Sequence, residues 1–281
     1  MTTLAGTTLL MSGGSRGIGL AIALRAARDG ANVVMLAKTS DPHPRLPGTV
    51  HTAVAQVEEA GGQAVAVVGD VRNDDDVQRA VDVAVERFGG VDVVLNNASA
   101  LDLRPTREIA MKTYDLMQDI NARGTFLLSK LAIPHLERSA RPHILTLSPP
   151  IDLRPKWAGS YLAYTMAKYG MSLVTLGLAE ELREAGIAVN SLWPRTTIAT
   201  AAVANLLGGD DTVGRSRSPE FMADAAHAVL VRESRSCTGN FFIDEDVLAE
   251  EGVTDLEQYR VGPAGQQLDE DLFLEPLEAS G

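Results

Sequence analysis

A glycine-rich turn between two apolar segments near the start of the chain limits the available folds more than any other feature. Residues 7–11 predict a buried strand, which runs into Ser-Gly-Gly-Ser-Arg-Gly-Ile-Gly at 12–19 and then an alanine-rich helix over 20–28. Residues 32–36 predict the next strand. In a strand–turn–helix–strand unit, backbone N–H groups and the helix N-terminus can approach a pyrophosphate closely. The unit therefore predicts a nucleotide-binding edge on a parallel sheet.

Strand and helix patterns continue to alternate after this unit. Further strands are predicted over 64–68, 91–95, 143–147, 187–193 and 240–244, and further helices over 52–60, 74–88, 112–137 and 218–232. This order predicts an α/β fold with a single domain: a Rossmann-like, doubly wound parallel sheet flanked by helices on both faces. We assign residues 1–249 to that domain. Residues 250–281 form an acidic tail that packs on the domain or extends from it.

Composition and charge argue against several classes of function. The formal net charge of -12 disfavours a nucleic-acid or anionic-membrane surface. The single cysteine, Cys237, excludes an internal disulfide and suits the cytoplasm. Neither a signal-peptide pattern nor an apolar run of 18 residues is present, and His43 and His51 have no ligand-spaced partner. We expect a cytoplasmic protein with no nucleic-acid partner, no membrane partner and no metal.

The end of the second predicted strand indicates which dinucleotide is bound. A nucleotide without a 2′-phosphate would favour a carboxylate there for its ribose hydroxyls. The sequence has Ala-Lys-Thr at 37–39 instead, and Arg16 lies in the glycine turn. Lys38 and Arg16 together supply cations where a 2′-phosphate would lie, so we favour NADP(H) over NAD(H).

Tyr164 and Lys168 are the pair most suggestive of chemistry. Both lie in a predicted helix that begins near Ser160, which we expect to cap it. Residues four apart share one helix face, so the ammonium can favour the phenolate and bring the phenol towards neutral pKa. Such pairs also occur on ordinary amphipathic surfaces, so the pair alone does not establish a site. Asn121 inside the long helix and Ser148 at a strand end, before Pro149, are further candidates.

The glycine turn, Asn-Asn-Ala at 96–98, the strand-end serine and Tyr-x-x-x-Lys occur in this order. Over about residues 7–247 the sequence thereby resembles the classical short-chain dehydrogenase/reductase family. More narrowly, it is similar to the hydroxysteroid dehydrogenase-like protein 2 group in Ser-Pro-Pro at 148–150 and Ala-Lys-Tyr-Gly-Met at 167–171. Some members of that group carry a C-terminal sterol-carrier domain, which we do not expect in this sequence.

The resemblance implies an oxidoreductase that interconverts a small-molecule carbonyl and a secondary alcohol, assembled as a homodimer or homotetramer. It implies that Tyr164 is the general acid or base, and that Lys168 binds the nicotinamide ribose and lowers the Tyr164 pKa. Ser148 would hold the substrate oxygen, and Asn121 would position a water that relays protons to Lys168. The implied cofactor-binding residues are Ser12, Gly13, Ser15, Arg16, Gly17, Ile18, Gly19, Lys38, Asp70, Val71, Asn97, Ala98, Ser99, Tyr164, Lys168, Pro194 and Thr197.

The sequence departs from the family pattern at several positions. Ser99 replaces a usual glycine, and Arg195 follows Pro194 where glycine is common. Ser148 and Tyr164 are sixteen positions apart, so Tyr161 falls at the family's ordinary distance from the serine. We nevertheless assign Tyr164, because only it lies one helical turn from Lys168, and we place the extra residues in the loop 149–159.

Two other functions compete with this interpretation. One is a nucleotide-binding sensor or scaffold that kept the fold and lost useful catalysis, which Arg195 and the displaced Ser148 keep open. The other is an α/β methyltransferase, which shares the glycine turn but does not explain Tyr-x-x-x-Lys. For the enzyme, we expect pocket walls from residues 100–107, 151–159 and 196–214.

Overall fold

The computed structural model describes residues 3–42, 47–205 and 209–275. Within these ranges the chain forms a seven-stranded sheet in the order β3-β2-β1-β4-β5-β6-β7, with every neighbouring pair parallel. The strands are β1 (Thr8–Ser12), β2 (Asn32–Ala37), β3 (Gln63–Val68), β4 (Val93–Asn96), β5 (His143–Thr146), β6 (Ala188–Trp193) and β7 (Phe241–Ile243). The predicted doubly wound parallel sheet is confirmed.

Helices cover both faces of the sheet, which is why its central strands are mostly apolar and buried along their whole length. One apolar layer joins the sheet to α1, α2, α10 and α11, and the other joins it to α3, α5 and α7. The helices are α1 (Gly17–Ala27), α2 (Val50–Glu59), α3 (Asp74–Phe88), α4 (Met111–Met117), α5 (Gly124–Leu136), α6 (Pro155–Ser160), α7 (Leu162–Glu181), α8 (Ala201–Val203), α9 (Gly209–Gly214), α10 (Pro219–Leu230) and α11 (Asp244–Glu250).

Two helix ends differ from the sequence predictions. Ser160 does not cap the helix that carries Tyr164. It ends α6 instead, where its hydroxyl donates to the Lys156 carbonyl, and Tyr161 occupies the N-cap of α7. The reason is the proline at the start of α6, which allows a separate short helix to form inside the lengthened loop. Ser218 lies at the N-cap of α10, but its side chain makes no capping hydrogen bond.

The acidic tail returns to the carboxyl edge of the sheet. Tyr259 and Phe273 are buried, and Glu270 forms an antiparallel bridge with Thr196, just beyond the end of β6. Tyr259 ends a short 3-10 helix, Glu257–Tyr259. The last six residues of the predicted tail, 276–281, lie outside the described residues. The described part of the tail therefore packs beside the strand ends where the candidate site is expected.

The buried side chain of His143 should make the stability of the protein depend on pH. Its ring is buried at the start of β5, and burial lowers its pKa from 6.5 to about 4. Between these values the unfolded chain binds a proton that the folded chain excludes, so stability is complete above pH 6.5 and decreases as the pH falls towards 4. The shift corresponds to about 3 kcal/mol. Urea unfolding from pH 7 to 4 should show this loss, and His143→Gln should flatten it.

A matched control is His51→Gln, which changes an exposed histidine at the start of α2. It should leave the pH dependence of the unfolding free energy as in the wild type. An equal slope in wild type and His143→Gln would show that the buried imidazole is not the titrating group.

Candidate active site

A cleft of about 610 Å³ opens at the carboxyl ends of the strands, between the β1–α1 turn and the residues that follow β2, β3 and β4. This is where a parallel sheet with reversed winding binds its ligand. The predicted cofactor residues that line the cleft are Gly13, Ser15, Arg16, Gly17, Ile18, Lys38, Asp70, Val71, Asn97, Ala98 and Ser99. These predicted residues therefore line one cleft, and their role in binding a cofactor stays a prediction.

The glycine turn leaves no space for side chains. A Cβ atom on Gly13 would lie 2.4 Å from Asn97 Nδ2, and one on Gly19 would lie 2.6 Å from the same atom. Gly13 also has φ of 80°, which L side chains rarely adopt. Asn97 is fixed by donating to the Ser12 carbonyl at 3.0 Å, while Ser12 Oγ accepts from the Ala98 amide. The turn is thus a rigid cradle of backbone, which fits a bound pyrophosphate.

Charges at the end of β2 are partly paired. Lys38 Nζ lies 3.1 Å from Asp70, and Arg72 forms a closer bidentate pair with the same carboxylate. These hydrogen bonds, with that of Arg72 foremost, hold the pKa of Asp70 well below its usual range. The Arg16 guanidinium donates to the Pro47 and Gly48 carbonyls. The corner therefore carries the cations of Lys38, Arg72 and Arg16, and two of them pair with Asp70.

Asn121 lies in a π-helical segment, Gln118–Arg123, that separates α4 from α5. Its side chain is fully buried and makes two hydrogen bonds with the backbone of Ala100: it accepts from the amide at 2.7 Å and donates to the carbonyl at 3.0 Å. The interruption predicted within the long helix is therefore present. A π-bulge of this kind is common at functional sites, because it redirects backbone groups that a regular helix would satisfy.

Tyr164 and Lys168 both lie on α7 and are both buried. Burial and the Asp271 carboxylate raise the pKa of the Tyr164 phenol, and the Ser99 hydroxyl opposes this shift. Lys168 Nζ donates to the Leu147 carbonyl at 2.9 Å and lies 5.0 Å from the Trp193 ring centroid. The direction of the Tyr164 shift is therefore opposite to the one expected from Lys168, because desolvation dominates here.

Ser148 directly follows the carbonyl to which Lys168 donates, so strand β5 brings the two residues together. Its Oγ is paired with Ser191 Oγ on β6 at 2.8 Å, and Ser191 in turn donates to Thr175. Among residues 3–42, 47–205 and 209–275, no hydrogen bond joins the side chains of Asn121, Ser148, Tyr164 and Lys168 to one another. None of the four is among the residues that line the cleft; Ser99, which does line it, hydrogen-bonds the Tyr164 phenol, and each of the four is held by a different neighbour.

The lengthened loop before α7 has its own anchors. Tyr169 on α7 donates to the Asp152 carbonyl at 2.7 Å, and Ser172 donates to the Pro149 carbonyl at 2.6 Å. Trp157 in α6 donates from its indole to the Asp152 carboxylate. The loop predicted to absorb the extra residues is therefore fastened to the helix that carries Tyr164.

Thr197, predicted near the nicotinamide, is buried and its hydroxyl pairs with Ser216.

Residues of the tail reach this end of the cleft, which the sequence analysis did not predict. The Phe273 ring packs 6.0 Å from the Tyr164 ring, and Trp193 Nε1 donates to the Leu272 carbonyl at 2.8 Å. Burial raises the pKa of Asp271, and the nearby Lys168 ammonium partly offsets that shift. The predicted pocket walls did not include this part of the tail. They were residues 100–107, 151–159 and 196–214, and residues 206–208 lie outside the described residues. The sequence showed only that the tail is acidic, and an acidic composition does not predict where the tail packs.

Comparisons with known proteins agree with this architecture. Residues 7–211 match the family model of the short chain dehydrogenases. The chain is 54% identical over 272 residues to hydroxysteroid dehydrogenase-like protein 2 of Danio rerio, covering 97% of this chain and 65% of that protein. The human protein of that name is 48% identical, with 97% of this chain and 64% of that protein covered.

Two solved structures are also very similar. A protein from Xanthomonas campestris has 55% identity and a TM-score of 0.94, with 97% of this chain and 99% of that chain covered. A short chain dehydrogenase from Mycobacterium thermoresistibile has 57% identity and a TM-score of 0.92, with 97% and 96% covered.

The chain belongs to the short-chain dehydrogenase family, an oxidoreductase family whose members bind nicotinamide dinucleotides. Within the family it is similar, over nearly its whole length, to hydroxysteroid dehydrogenase-like protein 2, and it spans about 65% of the length of those relatives. In the described part of the chain, no helix has the length and apolar character needed to cross a membrane, and no cluster of potential metal ligands is found.

Proposed function

We propose that the protein is an NADP(H)-dependent oxidoreductase that interconverts a small-molecule carbonyl and a secondary alcohol, with Tyr164 as the general acid or base. The observation that carries the proposal is the placement of Tyr164, Lys168 and Ser148. Tyr164 and Lys168 lie one helical turn apart on α7, and Lys168 donates to the carbonyl of Leu147, directly before Ser148. Tyr164 is linked to the cleft through Ser99, which lines the cleft and hydrogen-bonds the phenol. A bound nicotinamide supplies or accepts the hydride.

Tyr164 suits the acid role in carbonyl reduction. The phenol holds its proton at neutral pH and can donate it to a carbonyl oxygen as negative charge develops there. Burial raises its pKa and so weakens it as an acid, and we assign the opposing effect to Lys168 and a bound cofactor. Ser148 Oγ, now paired with Ser191, is the second hydroxyl available to that oxygen. Alcohol oxidation needs the phenolate instead, and we assign its stabilisation to Lys168 together with a bound nicotinamide ribose.

Asn121 fits a supporting role in this scheme. Its side-chain amide hydrogen-bonds the backbone of Ala100. The preceding residue, Ser99, hydrogen-bonds the Tyr164 phenol through its hydroxyl. We propose that Asn121 keeps the π-helical segment open and positions a water that relays protons towards Lys168. Its complete burial supports a fixed position for that relay.

The competing proposal is a nucleotide-binding sensor or scaffold with weak catalysis. One observation favours it: the Phe273 ring packs against the Tyr164 ring, with the two centroids 6.0 Å apart. A scan of NADPH and NADH oxidation against diverse ketones and aldehydes separates the two proposals. Tight binding of the dinucleotide without turnover of any carbonyl would favour the sensor.

Lys38 tests the preference for NADP(H). Lys38→Ala removes the exposed cation at the end of β2 that we assign to the 2′-phosphate. A charge-assisted hydrogen bond to phosphate contributes about 1.5–3 kcal/mol, so kcat/KM for NADPH should fall by about tenfold or more. The value for NADH should stay within about twofold, because NADH has no such phosphate.

The control for this comparison is Lys112→Ala, which removes an exposed cation on α4. It should leave the NADPH-to-NADH ratio of kcat/KM unchanged. A Lys38→Ala enzyme that loses efficiency equally with both dinucleotides would contradict the assignment.

We further propose a cytoplasmic homodimer or homotetramer. The cytoplasmic proposal is supported by the single buried cysteine, Cys237. Assembly is supported by large apolar side chains that α7 leaves exposed, namely Leu162, Met166, Leu173 and Leu176. Light scattering of the purified protein should give two or four times the chain mass, and Leu173→Asp should reduce that mass to the monomer.

A further inference from the structure

The Phe273 side chain occupies a cage of aromatic rings beside the candidate catalytic tyrosine. Only 2% of the residue is exposed, although it lies in the tail. Its ring centroid lies 5.4–6.3 Å from the centroids of Trp157, Tyr161, Tyr164, Tyr169 and Trp193. These spacings are those of favourable aromatic pairs. The space next to the Tyr164 ring is thus built to receive a flat apolar group, and a residue of the chain itself fills it.

The segment that carries Phe273 is held mainly by polar contacts. Asp269 accepts from the Thr197 amide at 2.9 Å, and Asp271 donates from its amide to the Arg195 carbonyl at 3.0 Å. Glu275, close to the end of the described tail, pairs with Arg154 and Lys156 at exposed positions. Water can replace such bonds at modest cost, since the net value of each is about 1 kcal/mol. Phe273 is the fully buried side chain of this segment, with Leu272 and Leu274 partly buried against the same apolar cluster.

The backbone at Phe273 is also strained. Its φ is 71°, the only positive value among the described residues other than glycine. A bulky residue in this conformation costs of order 1–3 kcal/mol, which the contacts of the ring must offset. A ligand that supplies equivalent ring contacts would release the strain.

We propose that the aromatic cage is the binding pocket for the apolar group of the carbonyl substrate, and that Phe273 occupies this pocket until the substrate displaces it. The inference rests on the proposed oxidoreductase function, because the displaced ring lies against Tyr164, where the reacting carbonyl must arrive. The geometry selects a ketone or aldehyde that bears an aryl group or another flat apolar group of about that width. The tail segment 269–275 moves outward with Phe273 as that group enters.

Hydrogen exchange distinguishes displacement from simple lining of the pocket. The enzyme is saturated with NADP⁺, and with NAD⁺ in parallel, and titrated with acetophenone, which cannot be reduced by the oxidised cofactor. If the ring is displaced, deuterium uptake in peptides covering 269–273 should rise above the level with cofactor alone, because the Asp269 and Asp271 amides lose their backbone partners. A fall in uptake would mean that Phe273 closes over the ligand as a wall, and would overturn the proposal.

The variant Phe273→Ala provides a second, independent test of the proposal. Removing the internal occupant should lower the dissociation constant of acetophenone by about tenfold, because the ligand no longer has to displace a bound ring. Binding is followed by tryptophan fluorescence, which reports on the cage because the chain contains two tryptophans and Trp157 and Trp193 both line it. An unchanged or larger dissociation constant, or no binding to either protein, would overturn the proposal. Where Phe273→Ala does not fold, Phe273→Leu and the wild-type exchange experiment give the result.

The matched control is Phe88→Ala. Phe88 ends α3 just before β4 begins, at the amino edge of the sheet and away from the site. It should leave the acetophenone dissociation constant unchanged. Neither arm needs turnover, so the two proposals can fail separately: increased exchange without reduction of any carbonyl would contradict the enzyme, whereas reduction without increased exchange would contradict the displaced ring.

Discussion

Replacing Tyr164 by phenylalanine is expected to lower kcat for carbonyl reduction by about 10³-fold, within the range for loss of a general acid. The variant removes one hydroxyl and keeps the ring contacts with Tyr161 and Phe273. Binding of NADPH should therefore stay within about twofold of the wild type. Steady-state kinetics with the best carbonyl from the substrate scan, together with NADPH fluorescence titration, measure the two effects.

Tyr161→Phe is the matched control, because this neighbouring tyrosine stands at the family's ordinary distance from Ser148. Burial raises the pKa of its phenol to about 12, and its backbone caps α7 at the edge of the aromatic cage. We expect kcat within about threefold of the wild type, since the proton of Tyr161 is not transferred. A large loss in Tyr161→Phe with normal turnover in Tyr164→Phe would reverse the assignment of the general acid.

Lys168→Met should produce the second large effect, a loss of about 10²-fold in kcat at neutral pH. Methionine keeps most of the side-chain volume beside Trp193 but removes the ammonium that donates to the Leu147 carbonyl. Without this cation the phenolate of Tyr164 is less stable, so the pH–rate profile for alcohol oxidation should shift to higher pH. A merely structural lysine would lower the rate without moving the profile.

Asp271→Asn tests the effect of a nearby negative charge on the Tyr164 pKa, and the expected pKa change is opposite to that of Lys168→Met. The Asp271 carboxylate raises the pKa of Tyr164, so its neutral analogue should move the oxidation profile to lower pH. Lys130→Met, which changes an exposed lysine on α5, should leave both rate and profile unchanged. Shifts in the same direction for Lys168→Met and Asp271→Asn would contradict the proposed balance of charges around the phenol.

Much of the fold was predictable because it depends on local patterns. The apolar runs at β1, β2 and β4 are buried on both faces, and α3 begins and ends at the residues that the pattern predicts. The interruption around Asn121 was visible as a polar residue within an apolar helix, although its π-helical form was not. Ser160 was misplaced because a second short helix, α6, uses the same residues as its end. Helix ends depend on such competition between neighbouring segments.

The sequence by itself determined the order of strands and helices, the glycine turn at 12–19, and the pair Tyr164 and Lys168. Each of these follows from spacing along one stretch of chain, where periodicity and backbone sterics act locally. The tertiary structure decided what surrounds the pair. Burial reverses the expected shift of the Tyr164 pKa, and Phe273, more than a hundred residues away in sequence, fills the adjoining cage. The desolvation of Tyr164 and the packing of the rings depend on contacts between segments far apart in the sequence. Local sequence patterns do not predict such contacts.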